Sequence, residues 1–349
     1  MNNSRRTFLA TMAAPAVMAQ SKTQPLQGTV LGHGAFRYRV DLNWSKADPA
    51  KTPVRDCHEM VQASDGRLFL LTNHKQNNIL IYETKGVLWG QWTIGFNGAH
   101  GLSLHREADG KEFLYITDTG TGRVVKTTLA GEIVLELPHA EKCGAYKAAD
   151  IYSPTETAVG PNGDIYVADG YGSQWILRFD RNGKYLSKFG GKSSQPISKG
   201  KFLQAHGVAI DTRGPEPLIL CTARIRNEFH WFNLDGVHQR TVYLPGAYMS
   251  RPVLAGRYLY SGVCFGMFQN DFRMWQNRGF VTILDDKDRV VSNPGGHAPE
   301  YKEGQLQIML QDQSVFRNCH DVCVDKQGDL YVPQWNSGQV YPYKLHREG

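Results

Sequence analysis

The sequence predicts an all-β chain folded as a single closed six-bladed β-propeller. Three observations predict it. A unit of roughly 40 to 50 residues recurs along the chain, the period of a four-stranded blade. Short apolar runs are punctuated by 36 Gly and 16 Pro. No segment carries a convincing amphipathic-helix period. Hydrophobic residues make up 41% and charged residues 21%, which supplies a core and excludes a disordered chain.

The elements follow in chain order. Ser4-Arg5-Arg6-Thr7-Phe8-Leu9 opens a short apolar stretch ending Ala16-Val17-Met18-Ala19. This is the pattern of a twin-arginine signal peptide over residues 1–19, with a small-residue cleavage site. Residues 20–35 read as a linker, and 36–349 as the propeller. The expected location is the periplasm or the exterior, with no membrane anchor after cleavage, because no second apolar run is long enough to span a bilayer. Units begin near Cys57, Gly98, Ser153, Ala205, Arg251 and Asn318. The third is the plainest: Glu156-Thr157-Ala158-Val159, a turn at Asn162-Gly163, Ile165-Tyr166-Val167-Ala168, Trp175–Phe179, a turn at Asn182-Gly183, then Tyr185–Phe189. Asn-Gly favours the positive-φ turns that match strand twist, so both read as hairpins. The last unit holds only three strands. Phe36–Leu42 is available as its fourth, closing the ring and removing an open edge. The unit resembles the NHL-type blade.

The formal charge of +6 is spread without a basic run, so the surface carries no nucleic-acid footprint. Six Cys are present and none lies in a C-x-x-C pair, which removes zinc-finger and thioredoxin readings. Cys57 and Cys319 precede similar motifs in neighbouring blades, leaving a bridge or two free thiols open.

The chemistry concentrates in histidine. Four of the twelve His occupy one slot, just before the innermost strand of a unit: His58 in Cys-His-Glu-Met, His100 in Ala-His-Gly-Leu, His206 in Ala-His-Gly-Val and His320 in Cys-His-Asp-Val. Thr155 fills the slot in the third unit, and Arg251 or Pro252 in the fifth. Inner strands line a propeller's axis, so these imidazoles are expected to converge on one ring. Such a ring suits a divalent transition metal with a position left for water or substrate. The competing reading is a set of histidines that only hydrogen-bond neighbouring blades.

From about His58 to Leu345 the chain resembles the peptidyl-α-hydroxyglycine α-amidating lyases, most closely over Gly98–Phe232 and Asn318–Tyr343. The resemblance implies a zinc held by His100, His206 and His320, with His58 as an extra ring histidine. It implies Tyr171, in Val167-Ala168-Asp169-Gly170-Tyr171, as catalytic base and Arg224, in Cys221-Thr222-Ala223-Arg224, as an active-site cation. It also implies a calcium deeper in the channel, held by the Leu102 carbonyl and Asp321, with Met60 as a further carbonyl donor. Several positions depart from the family. Lys75 stands where a second active-site arginine is expected and cannot make a bidentate carboxylate clamp. Asn318 replaces a methionine. Gly172 and Trp231 replace a disulfide pair.

Unit five carries an insert, Phe265 to Arg278, rich in aromatic and amide side chains. It is expected to lie at the channel mouth as a cover for a ligand or as inter-blade packing. The substrate classes left open are a small hydroxylated molecule, a peptide or a sugar. A non-catalytic propeller that binds protein or glycan is the alternative. A lactonase-like propeller is disfavoured, because no ring of carboxylates fills the slot.

Overall fold

The computed structural model describes residues 26–195 and 199–349. The twin-arginine segment and its cleavage position lie outside the described residues. Among these, every regular element is a strand except one 3₁₀ turn, Arg224–Arg226. No helix is long and apolar enough to cross a membrane.

Four blades are four-stranded antiparallel meanders. Blade one is Cys57–Gln62, Leu68–Thr72, Ile79–Tyr82 and Leu88–Trp92. Blade two is Ala99–Arg106, Glu112–Asp118, Arg123–Thr128 and Ile133–Glu136. Blade three is Glu156–Val159, Ile165–Ala168, Trp175–Phe179 and Tyr185–Gly190. Blade four is Ala205–Asp211, Leu218–Ala223, Glu228–Phe232 and His238–Tyr243. The expected Asn-Gly hairpins form, with Gly163 and Gly183 both at φ 84°.

Burial explains the sequence pattern. Middle strands such as Leu68–Thr72 and Ile79–Tyr82 are buried at every position, because each face meets an adjacent blade. The outer strand Leu88–Trp92 alternates half-buried with exposed. The core therefore lies between blades. Phe69, Leu71 and Ile81 of blade one pack with Leu102, Leu114 and Ile116 of blade two. Each fully buried side chain of this kind contributes about 1.5–3 kcal/mol.

Blade six closes the ring. Cys323–Val324, Leu330–Val332 and Tyr343–Glu348 are completed by Phe36–Asp41, with Val40 opposite Leu345. This is the expected closure. A strand also forms inside the segment read as linker: Val30–His33 pairs outside Phe36–Asp41, with Leu31 opposite Tyr38. Its anchor is blade five, where the Ser292 hydroxyl receives the His33 N–H at 2.8 Å and donates to Phe36 O at 3.1 Å. All six cysteines are unbridged.

Blade five departs most from the meander. Its inner strand is broken into Tyr248–Met249 and Val253–Ala255, both paired with the long strand Tyr258–Phe268. The break holds Arg251 and Pro252. The insert is a hairpin, Tyr258–Phe268 against Asp271–Trp275, before Phe280–Leu284 and Val290–Ser292 complete the sheet.

Candidate active site at the histidine mouth

Register puts one set of connections around one mouth. Cys57 lies opposite Thr72, Glu156 opposite Ala168, Ala205 opposite Ala223 and Cys319 opposite Gln334. The turn after each second strand is therefore level with the slot before each first strand. Lys75, Tyr171, Arg224 and the blade-five hairpin all occupy such turns.

The four slot histidines converge. His58, His100, His206 and His320 are all nearly inaccessible, at 4%, 3%, 0% and 1% exposure. Ring centroids lie 4.6 Å apart for His58–His320, 5.0 Å for His58–His100, 4.8 Å for His100–His206 and 5.1 Å for His206–His320. The ligand-capable nitrogens of His58, His100 and His320 fall within 4.8 Å of one another. That trio differs from the one the resemblance implies, since His58 joins it and His206 borders it.

The Ala-His-Gly motif has a local cause. A Cβ on Gly101 would stand 2.4 Å from Thr155 O, and one on Gly207 would stand 2.5 Å from the Arg251 Cα. Only glycine lets each blade approach its neighbour at the level of the ring.

The backbone fixes two ring orientations. His100 Nδ1 lies 2.9 Å from Thr155 O, and His320 Nδ1 lies 3.0 Å from His58 O. Carbonyl oxygens only accept, so both Nδ1 atoms carry the proton and both Nε2 atoms present lone pairs. Tyr171 Oη lies 3.1 Å from His100 Nε2 and 3.1 Å from His206 Nε2. It follows that Tyr171 donates to His100 and accepts from His206 Nε2–H. His206 Nδ1 is then a bare acceptor, and it is buried without a partner.

Burial holds the ring neutral. It lowers the pKa of His58 to about 3, with Arg224 and Arg55 adding to the effect. Burial likewise lowers His100, His206 and His320 well below the usual value, reinforced by their neighbours in the ring and by Arg224. Neutral imidazole is the form that ligates metal. His58 Nδ1, His206 Nδ1 and His320 Nε2 are all buried without a partner. Three partnerless nitrogens in one cluster are costly unless something satisfies them. The donor set fits a divalent transition metal.

Arg224 is buried at 2% exposure, and no carboxylate pairs with it among the described residues. Its 3₁₀ turn ends at Asn227, at φ 55°, whose amide donates to Arg224 O and Ala247 O. Arg224 Nε donates to Met249 O and Nη2 to Ser250 Oγ, each at 3.0 Å, and Nη1 reaches Tyr171 Oη at 3.5 Å. Tyr171 keeps 40% of its surface open at the mouth while its hydroxyl end is enclosed. That enclosure raises its pKa, and Arg224 opposes the rise. Lys75 is exposed on its turn, with its carbonyl accepting from Thr93 Oγ1 at 2.5 Å.

The hairpin stands beside this group. Phe265 packs against Trp335 at 5.9 Å, and Arg224 lies 5.6 Å from the Phe265 ring. Asn318, the departure from methionine, ties the hairpin to blade six: it accepts from Asn277 N at 2.8 Å and donates to Trp335 O at 3.0 Å.

The layer beneath the ring corrects one expectation. The donors implied to hold calcium are bonded to Arg251. Its Nη1 donates to Leu102 O at 2.6 Å, its Nη2 to Met60 O at 2.9 Å, and its Nε and Nη2 to Asp321 at 2.8 and 2.9 Å. The position is filled by a guanidinium, so these residues do not fit a calcium ion. In the sequence Arg251 stands only as an irregular slot, because nothing local signals partners up to 191 positions away.

Comparison with known proteins agrees with this architecture. No family model matches the chain. Over 253 residues, 70% of this chain, it is 30% identical to peptidyl-glycine alpha-amidating monooxygenase A of Xenopus laevis, covering 24% of that protein. Over 111 residues, 32% of this chain, it is 27% identical to the probable peptidyl-alpha-hydroxyglycine alpha-amidating lyase pgal-1 of Caenorhabditis elegans, covering 30% of it. The chain thus spans about a quarter to a third of these relatives' length. Virginiamycin B lyase from Staphylococcus aureus shares the fold, with a TM-score of 0.51 at 15% identity over 82% of this chain and 79% of that one.

Proposed function

We propose that this propeller is an exported, metal-dependent lyase that breaks a C–N or C–O bond in a hydroxylated or sugar-like substrate. The observation that carries this reading is Tyr171 Oη, held between His100 and His206 and beside Arg224, which has no carboxylate partner among the described residues. The ring would hold zinc or another divalent transition metal, with His58, His100 and His320 nearest together and His206 at its border in place of the His100, His206 and His320 set that the resemblance implies, and the metal would supply Lewis acidity toward a substrate oxygen.

The chain's own residues do the rest. Tyr171 removes the proton of the substrate hydroxyl. The O–H electron pair becomes the new C=O bond. The adjacent C–N or C–O bond breaks, and its pair leaves with the nitrogen or oxygen, which takes up a proton. The products are a carbonyl compound and an amide or alcohol. Burial raises the pKa of Tyr171 and Arg224 opposes the rise, so the base needs the Arg224 charge together with the charge that a metal in the ring would add. Arg224 orients an anionic group on the substrate, and Lys75 adds charge at the rim.

The test is elemental analysis of the purified protein beside a His206→Ala variant, followed by assay with α-hydroxyglycine compounds. About one transition metal per chain, reduced in the variant, together with release of a carbonyl product, supports the reading. A metal-free protein that stays metal-free on reconstitution leaves a ligand-binding propeller instead.

A further inference from the structure

Below the histidine ring lies a second polar layer that the proposed reaction does not use. It contains Glu59, Glu156, Arg251 and Asp321, with exposures of 0%, 1%, 8% and 0%. Charges this deep are costly unless opposed and hydrogen-bonded. Arg251 is the single cation of the layer. It enters from blade five, the blade whose inner strand is broken and whose slot lacks a histidine.

Four of its five N–H groups are hydrogen-bonded. Three point to Asp321 and Met60, through Nε at 2.8 Å and Nη2 at 2.9 Å to the two carboxylate oxygens and Nη2 at 2.9 Å to the carbonyl. Nη1 meets Leu102 O at 2.6 Å and faces Glu59 Oε2 at 3.6 Å. The guanidinium thus joins blade five to blades one, two and six. A divalent ion seeks the same oxygen chemistry, several carbonyl and carboxylate donors converging on one point. A planar fork of fixed donors meets that demand without release or uptake of an ion.

We infer that Arg251 is a built-in cation of this propeller: its guanidinium replaces a bound divalent ion at the channel axis, and the folded protein neither binds nor needs calcium there. The inference concerns the lower layer and stands apart from whether the histidine ring holds a metal.

The experiment compares wild type, Arg251→Ala and Arg251→Lys, each in a calcium-selective chelator and in added calcium chloride. Thermal unfolding and calcium titration calorimetry are the readouts. Wild type is expected to unfold at the same temperature in both media, within about 1 °C, and to give no calcium isotherm. Arg251→Ala exposes Asp321, Glu59 and two carbonyls, and is expected to gain calcium dependence, with a rise of about 4 °C or more at saturation. Arg251→Lys keeps the charge and is expected to unfold earlier than wild type without responding to calcium. One calcium bound per wild-type chain, with a lower unfolding temperature in chelator, overturns the inference. So does an Arg251→Ala protein that folds and ignores calcium. If Arg251→Ala is insoluble in both media, the wild-type titration decides alone, in the same two directions.

Discussion

His320 Nδ1 is held 3.0 Å from the carbonyl oxygen of His58, a residue 262 positions earlier in the chain. The two belong to the last and first blades, so the joint that closes the ring also aims a site histidine. Weakening the closure should therefore loosen the site. Leu345 is fully buried and lies between Val40 and Leu330. Leu345→Ala is expected to cost about 2–5 kcal/mol by denaturant unfolding and to lower metal retention on dialysis. Normal retention at reduced stability would uncouple closure from the site.

Under the proposed reaction, loss of the Tyr171 hydroxyl should separate binding from chemistry. Tyr171→Phe keeps the ring and removes one hydroxyl. Turnover is expected to fall by about 10²–10⁴-fold while metal content holds. Full activity in this variant removes the proposed base.

Arg224 reads as an anion contact, because it is buried and has no carboxylate partner among the described residues. Arg224→Lys retains charge but not the fork, and also loses one of the bonds to Met249 and Ser250. Its KM for an anionic substrate is expected to rise by about tenfold or more, with a smaller change for a neutral analogue. Equal losses on both substrates point to a structural role.

Gly101 tests how the motif works. A methyl group there meets Thr155 O at 2.4 Å, and Thr155 O is the acceptor that orients His100. Gly101→Ala is expected to cost about 1–3 kcal/mol and to weaken metal affinity with it. Titration of metal into the purified variant checks this directly.

Asp169 gives a pH signature. It accepts from Ser153 N at 2.7 Å, Ser173 N at 2.5 Å and Tyr146 Oη at 2.6 Å, and so shapes the turn that carries Tyr171. Burial outweighs these donors and raises its pKa to about 6. The folded state then binds its proton more tightly than the unfolded chain does. Its contribution to stability is complete below the unfolded pKa and is lost as pH rises through about 6, on the order of 3 kcal/mol in all. The buried histidines pull the other way, because their lowered pKa values favour the folded state as pH rises. The measurement is thus the difference between wild type and Asp169→Asn between about pH 4 and 7. The variant should lack this fall; parallel curves would show that Asp169 does not titrate there.

Sequence alone carried the ring because its signals are local and repeated. Asn162-Gly163 and Asn182-Gly183 mark turns that four neighbouring residues decide. The histidine slot was legible through register, since a repeat places equivalent residues at equivalent depths. Val30–His33 escaped because it is four residues long, is flanked by glycine and is stabilised by Ser292 of another blade. Arg251 escaped for the same physical reason on a larger scale. Its four partner atoms belong to three other blades, and only the closed ring brings them together. The role of Tyr171 came from resemblance; its position between two imidazoles required coordinates.

The fourth strand of blade six comes from the start of the propeller, and this sets a clock on the site. During synthesis the ribosome delivers His58, His100 and His206 long before His320, and the closing pair Val40–Leu345 forms only after the last strand emerges. Contacts this distant in sequence assemble slowly and together. Assembly of the full histidine ring is then a late, all-or-none event in the life of the molecule. A nascent or clipped chain that lacks blade six holds histidines but no ring.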